Sequence, residues 1–281
     1  MTIILTFWEE QMINVKKVKA LIAKELLVQS KDSATLSTMV VIPLLFGIVI
    51  PVSLICLGTD NPLVQSLGGM QFILNAATSH AAGSGVNAEG RILYTILMYF
   101  FIPVFMLLPT MISNVTAAAS FVGERERKTI EGLLYTPLNQ QELLLGKIVA
   151  SFVPATIITW FSLIVYGVIL DTLGYHVFGS FIFPNSAWVL LGLIVMPLVS
   201  FLSTLLVVTV SQHMKTTRAA QSVSLIILVP IIGIIVSQAS SSASLGIGMI
   251  AIICSVILII DVVLFCFVSR RFKSEALLIN K

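Results

Sequence analysis

The chain has 281 residues, 57% of them hydrophobic and only 10% charged, and its mean hydropathy is +1.04. A soluble domain of this size carries about 25% charged residues, so there is too little charge here to coat a water-facing globule. The apolar runs are long and continuous rather than alternating, which excludes a β-barrel pattern and predicts an all-α integral membrane protein. The net charge of +3 is modest and its distribution gives no sign of nucleic-acid binding. Cys56, Cys254 and Cys266 lie in or at the edge of apolar runs, have no metal-ligand spacing, and read as small packing residues.

Residues 1–35 form an N-terminal arm. From Met12 onward Val15, Val18, Ile22 and Leu26 share one helical face, and Lys16, Lys17, Lys24 and Lys31 the other. This pattern predicts a helix lying in the headgroup region with lysines toward anionic lipid. The alternative is a helix packed on the ends of the spans. The first apolar run begins only near Leu36, behind this polar segment, so no cleaved leader is expected.

Six spans are predicted within residues 36–268. The first is Leu36–Leu57, with Pro43 and Pro51 inside. A Gly-, Asn- and Ser-rich outer loop covers 58–91. The second span runs from Ile92 to about Val122, with kinks expected at Pro103 and Pro109. A charged loop, 123–142, leads to the third span, Leu143–Leu170. The outer loop 171–186 carries an aromatic belt. The fourth span is Ala187–Val210, the fifth Ala219–Val236, the sixth Leu245–Val268, and 269–281 is a basic tail. Of the 16 Lys and Arg residues, Arg91 alone falls in an outer loop. The positive-inside rule therefore places both termini in the cytoplasm.

No nucleotide-binding motif is present. Gly146-Lys147 is a fragment of a phosphate loop, but the pattern needs Gly where Gln141 stands and Ser or Thr where Ile148 stands. His80, His176 and His213 are dispersed, and no catalytic cluster supports an embedded enzyme. Asp261 is the one acid well inside a span, roughly 13 Å from the basic tail at the helical rise. Such an acid faces protein, water or a partner. It reads either as a translocation-path residue sensing substrate, cation or proton, or as a structural acid bonded to a neighbouring Ser or Thr.

The densest charged stretch is Gly123–Lys147, G-E-R-E-R-K-T-I-E-G-L-L-Y-T-P-L-N-Q-Q-E-L-L-L-G-K. Pro137 ends its first helical part, and Asn139 with Glu142 has capping-box spacing. A short transverse helix results. Its apolar residues can enter a groove on a partner, and its charges can set orientation; an ordinary solvated hairpin is the bland alternative.

This stretch resembles the signature of type-2 ABC exporter permeases, E-R-E-x-G-T-x-E-x-L-L-x-T-P followed by S-x-x-E-x-x-x-G-K. The matching positions are Glu124, Arg125, Glu126, Thr129, Glu131, Leu133, Leu134, Thr136, Pro137, Glu142, Gly146 and Lys147. Lys128 replaces a common Gly and Asn139 a common Ser. Arg218-Ala219-Ala220-Gln221 is similar to another recurring feature of that family. The resemblance implies a permease subunit of an ATP-driven exporter, not itself an enzyme. Its partners would be two ABC ATPase chains, a second permease copy or paralogue, and membrane lipid. It would bind no cofactor, and ATP and Mg would act through the ATPase. The loop 123–142 would be the cytoplasmic coupling helix. Glu124, Glu126, Thr129, Ile130, Glu131, Leu133, Leu134, Thr136 and Pro137 would form its ATPase interface. The expected location is the inner membrane of a prokaryote, and the expected substrate a hydrophobic or amphipathic peptide, drug or lipid. The sodium-exporting branch has similar coupling loops but a larger outer region than 58–91. The competing reading is an ion transporter or channel using Asp261 without an ATPase; it predicts inverted repeats, which are not evident.

Overall fold

The computed structural model describes residues 14–58, 88–126, 138–211, 214, 216–227, 229–231, 233 and 247–271. The described residues are mostly helical. Five helices are long and apolar enough to cross a membrane: α2 (Ser33–Leu57), α3 (Gly90–Phe121), α4 (Gln140–Leu173), α5 (Ser186–Ser211) and the Ala251–Ser269 part of α7 (Ile247–Arg271). They are joined by α1 (Val15–Gln29) and α6 (Thr217–Ser224). The expected fifth span, 219–236, is not among the five. Its described pieces are α6, the 3₁₀ turn Leu225–Ile227, residues 229–231 and residue 233. Most of the outer loop 58–91 and of the tail 269–281 lies outside the described residues.

The helix α3 packs along α4 and α5, α7 lies along α5, and α6 sits against both α3 and α5. Burial grades from centre to rim. In the most apolar 18-residue stretch, 67% of α3 is buried against 11% of α7. The centre therefore belongs to α3 and α5, while α7 shows apolar side chains such as Ile252, Ile259 and Val263 to its surroundings.

Prolines shape three of the spans through widened turns. Leu45–Val49, Ile96–Phe100 and Leu191–Val195 are π-helical, each ending two or three residues before Pro51, Pro103 or Pro197. A proline ring collides with the carbonyl four residues back, and one wider turn relieves the collision. Carbonyls in and beside these turns then take side-chain donors. Tyr166 donates its hydroxyl to Leu97 O at 2.7 Å, Trp188 donates Nε1–H to Met98 O at 3.0 Å, and Trp160 donates to Gly192 O at 2.7 Å. This is how a proline-rich helix keeps its backbone satisfied where no water reaches.

Those donors anchor one end of the bundle. Tyr166 stacks on Phe101 with centroids 5.6 Å apart and touches Phe105 at 4.7 Å and Trp188 at 5.3 Å. In the last turn of α4, Asp171 accepts from the loop amides of Ile182 and Phe183, both at 3.1 Å, and so turns Phe183 onto Tyr166.

The arm helix α1 is present, and it packs along α4. The face it buries is Leu21, Glu25 and Gln29, spaced four apart, rather than the apolar stripe. Val15 is 63% exposed and Leu26 40%. The ends of the apolar stripe, Val15 and Leu26, are thus exposed, Val18 and Ile22 are half-buried, and the docked face is mainly polar. The packing of α1 on α4 is the arrangement of a helix set against the ends of the spans.

Candidate functional site

The other end of the bundle, its base, is where α3 ends, α4 begins and α1 lies across them. Each element contributes part of one charged cluster. The centre is Lys147, whose side chain is 3% exposed. Its Nζ donates to Glu124 Oε2 at 2.8 Å, Glu25 Oε1 at 3.3 Å and the Ser120 carbonyl at 2.5 Å, and stands 5.6 Å from the centre of the Phe121 ring. Glu25 also accepts from Ser120 Oγ at 2.7 Å and from Lys24 Nζ at 2.9 Å. Lys24 reaches on to Glu124 and closes the ring.

Among the described residues, two ammonium groups and two carboxylates balance the cluster. Balance matters because the cluster is largely withdrawn from water, where an uncompensated charge costs several kcal/mol. Burial pushes the Glu25 carboxyl up. The Lys147 charge, the Ser120 hydroxyl and Lys24 outweigh that and hold it below the ordinary glutamate value. Partial burial lowers the basicity of Lys24, but its hydrogen bonds to Glu124 and Glu25 leave it raised. Lys24, expected among the lipid-facing lysines, is therefore engaged within the chain. Lys16 and Lys19 are exposed, and Lys17 is half-buried.

Glu142, 1% exposed, works beside this cluster. Its Oε2 accepts from the Asn139 amide at 2.9 Å in a capping box that starts α4. Its Oε1 accepts from the Asn14 amide at 2.7 Å, so the same carboxylate pins the start of α1. Gly146 lets the two helices close. A Cβ there would stand 2.6 Å from Leu21 Cδ2 and 3.2 Å from its Cγ. Gln29 finishes the seam by donating to Ala150 O at 3.2 Å. Glu142, Gly146 and Lys147 thus all serve to seat α1.

Glu126 points the other way. Its Oε2 accepts from the Thr217 amide at 3.0 Å and from the Thr217 hydroxyl. Thr217 opens α6, and an acid at a helix N-terminus satisfies free amides and meets the positive end of the dipole. Twelve residues back, on α3, Asn114 donates to Gln221 O at 3.2 Å. Ala220 is fully buried against Ala117, Ala118, Val122 and Val207. The alternate glutamates of E-R-E therefore hold different elements, α1 and α4 through Glu124, α6 through Glu126.

A family profile described as ABC-2 family transporter protein matches residues 19–256. The chain belongs to this family. It is a multi-pass membrane permease component of an ABC transporter, a transport subunit that works with an ABC ATPase. No curated protein and no solved structure matches the chain.

Of the interface expected in this ABC-2 permease, Glu124 and Glu126 are described, and both make contacts within the chain. Thr129, Ile130, Glu131, Leu133, Leu134, Thr136 and Pro137 lie outside the described residues. Asp261, on α7, is buried at 3% exposure, apart from the base cluster. What sequence reasoning missed was α1 as the partner of the motif. A signal was present: Glu25 and Gln29 fall in line with Leu21 on a helix otherwise rich in lysine.

Proposed function

We propose that this permease is half of an ATP-driven exporter and takes its drive through 123–142. In this reading the segment between Glu126 and Asn139 seats in the ATPase, with Ile130, Leu133 and Leu134 as its apolar part. Glu124, Glu126, Thr129, Glu131, Thr136 and Pro137 set its orientation. Two ATPase chains and a second permease copy or paralogue complete the complex in a prokaryotic inner membrane. Both termini are cytoplasmic, and residues 219–236 supply a sixth span. The cargo is a hydrophobic or amphipathic peptide, drug or lipid.

One observation carries the coupling role. The segment leaves the bundle at Glu124 and returns at Glu142, and both carboxylates grip α1 or the base that holds it. A push on the segment therefore reaches α1, α3 and α4 together. The test is the double substitution Leu133→Asp with Leu134→Asp. The ATPase should no longer co-purify, while the permease keeps its native size in detergent. Unchanged co-purification with unchanged substrate-stimulated ATP hydrolysis would sink the coupling role.

A further inference from the structure

Asp261 is 3% exposed, and neither of its carboxylate oxygens has a hydrogen-bond partner among the described residues. It lies on α7, which packs along α5. A structural acid should be bonded to a hydroxyl on that neighbour, and α5 has several to offer. They are committed elsewhere. Ser200 donates to Phe152 O at 3.2 Å, Ser203 to Thr110 O at 3.1 Å and Thr204 to Ser200 O at 3.0 Å. Thr209 and Ser211 donate to Leu205 O and Val208 O, both at 2.7 Å. On α7 itself Ser255 donates to Ala251 O at 2.9 Å.

Among the described residues charge does not answer Asp261 either. Residues 186–211 and 219–260 contain no Asp, Glu, Lys, Arg or His. The other titratable groups of α7 are Cys254 and Cys266, with Arg270 and Arg271 at its far end. At the base Val268 packs with Phe121, Leu143, Leu144 and Ile148, next to the Lys147 cluster. That contact lies about 10 Å along α7 from Asp261 at the helical rise.

An ionised carboxylate left dry and unpaired at this depth is costly. Something must supply positive charge to it. A metal ion needs several oxygen ligands at once, whereas the neighbouring positions Ile257, Leu264 and Phe265 are apolar and face the cores. A bulky cation needs space that a 3% exposed side chain does not offer. A proton needs neither.

We propose that Asp261 is a proton-binding site of the permease, and that it exchanges its proton when α5 and α7 part during the transport cycle. The cycle is that of the exporter proposed above, so the exchange half rests on that reading; the binding half does not.

The test uses the complex in its native membranes and the apolar reagent dicyclohexylcarbodiimide. The acid's proton passes to a carbodiimide nitrogen and the carboxylate oxygen adds to the central carbon. The adduct thus forms from the protonated acid and carries the whole reagent's mass. Mass spectrometry of the α7 peptide should find Asp261 labelled near neutrality and several-fold less at alkaline pH. Trapping the cycle with ATP and vanadate should change the labelling rate several-fold. Asp261→Asn should abolish the label yet still co-purify with the ATPase. An unlabelled Asp261, or labelling indifferent to pH, overturns the proton site. Labelling indifferent to the nucleotide state, with the ATPase present, overturns exchange and leaves a fixed proton. A permease that purifies without an ATPase but still labels would remove the exporter reading and leave the proton site standing.

Discussion

At one end of α4, Tyr166 is packed among Phe101, Phe105 and Trp188 and gives its hydroxyl to the widened turn of α3. About 28 Å along the same helix at the helical rise, Lys147 is ringed by Glu25, Glu124 and Ser120. Both ends are buried and both tie α4 to α3. The aromatic end does so with rings, of which Tyr166 and Trp188 carry a polar tip, so losing a residue there removes area and at most one hydrogen bond. The base does so with balanced charge, so losing one residue strands its partners. Packed rings make a pivot that tolerates change. A charge ring makes a joint whose state depends on all its members, and the joint sits where the proposed coupling segment joins the bundle.

The comparison is broken most severely at Lys147. Lys147→Ala should leave Glu25 and Glu124 sharing the single ammonium of Lys24 and cost about 3–5 kcal/mol, and it should free α1. Loss of thermal stability, together with rapid proteolysis between α1 and α2 in the purified permease, is the expected pair of readings. Loss of stability with α1 still protected would mean that the cluster does not hold the arm. The matching change at the other end is Tyr166→Phe. It keeps the ring and leaves Leu97 O without its donor, at a cost of about 1–3 kcal/mol. It should lower stability without loosening α1. If it frees α1 as Lys147→Ala does, the two ends are not separable.

A finer cut separates the two glutamates of E-R-E. Glu126→Ala removes the acceptor at the start of α6 and should cost about 0.5–2 kcal/mol, the range for a lost helix cap. Hydrogen exchange should rise at Thr217–Gln221 and stay unchanged in α1. A rise in α1 as well would mean that the two carboxylates act on one joint rather than two.

The aromatic end was legible in part. Hydropathy places Trp188 and Phe183 near a membrane edge, and the long apolar runs give α2 to α5. The base was legible as a motif but not as a structure. Glu25 and Lys147 stand 122 positions apart, and no periodicity links an acid on one helix to a lysine on another. The arm shows the same limit. Its apolar stripe was visible, but the face that docks is polar, because Glu25 and Gln29 meet donors and acceptors that come from α3 and α4. Proline positions were visible too. That three of them act through π turns, with Tyr166, Trp188 and Trp160 as donors, depends on neighbours that only the folded bundle supplies.

The smallest effect expected is one of pH, and it tests whether the base is held by charge at all. Glu25 is held below its ordinary value, so its contribution is present above the unfolded glutamate pKa and is lost as pH falls through the lowered folded one. Lys24 is raised, so its contribution is complete below the unfolded lysine pKa and fades as pH rises through the raised folded one. Between these limits the docking of α1 should be flat, with a loss on the acid side of the usual carboxylate range and another on the alkaline side of the usual lysine range. Protease protection of the α1–α2 junction, followed across pH, reads this directly. The substitution Lys24→Met should remove the alkaline limb and leave the acid limb in place, because Lys147 still faces Glu25. If protection changes steadily through neutrality, a group other than Glu25 and Lys24 controls the joint, and the charge ring is not what distinguishes the base from the aromatic end.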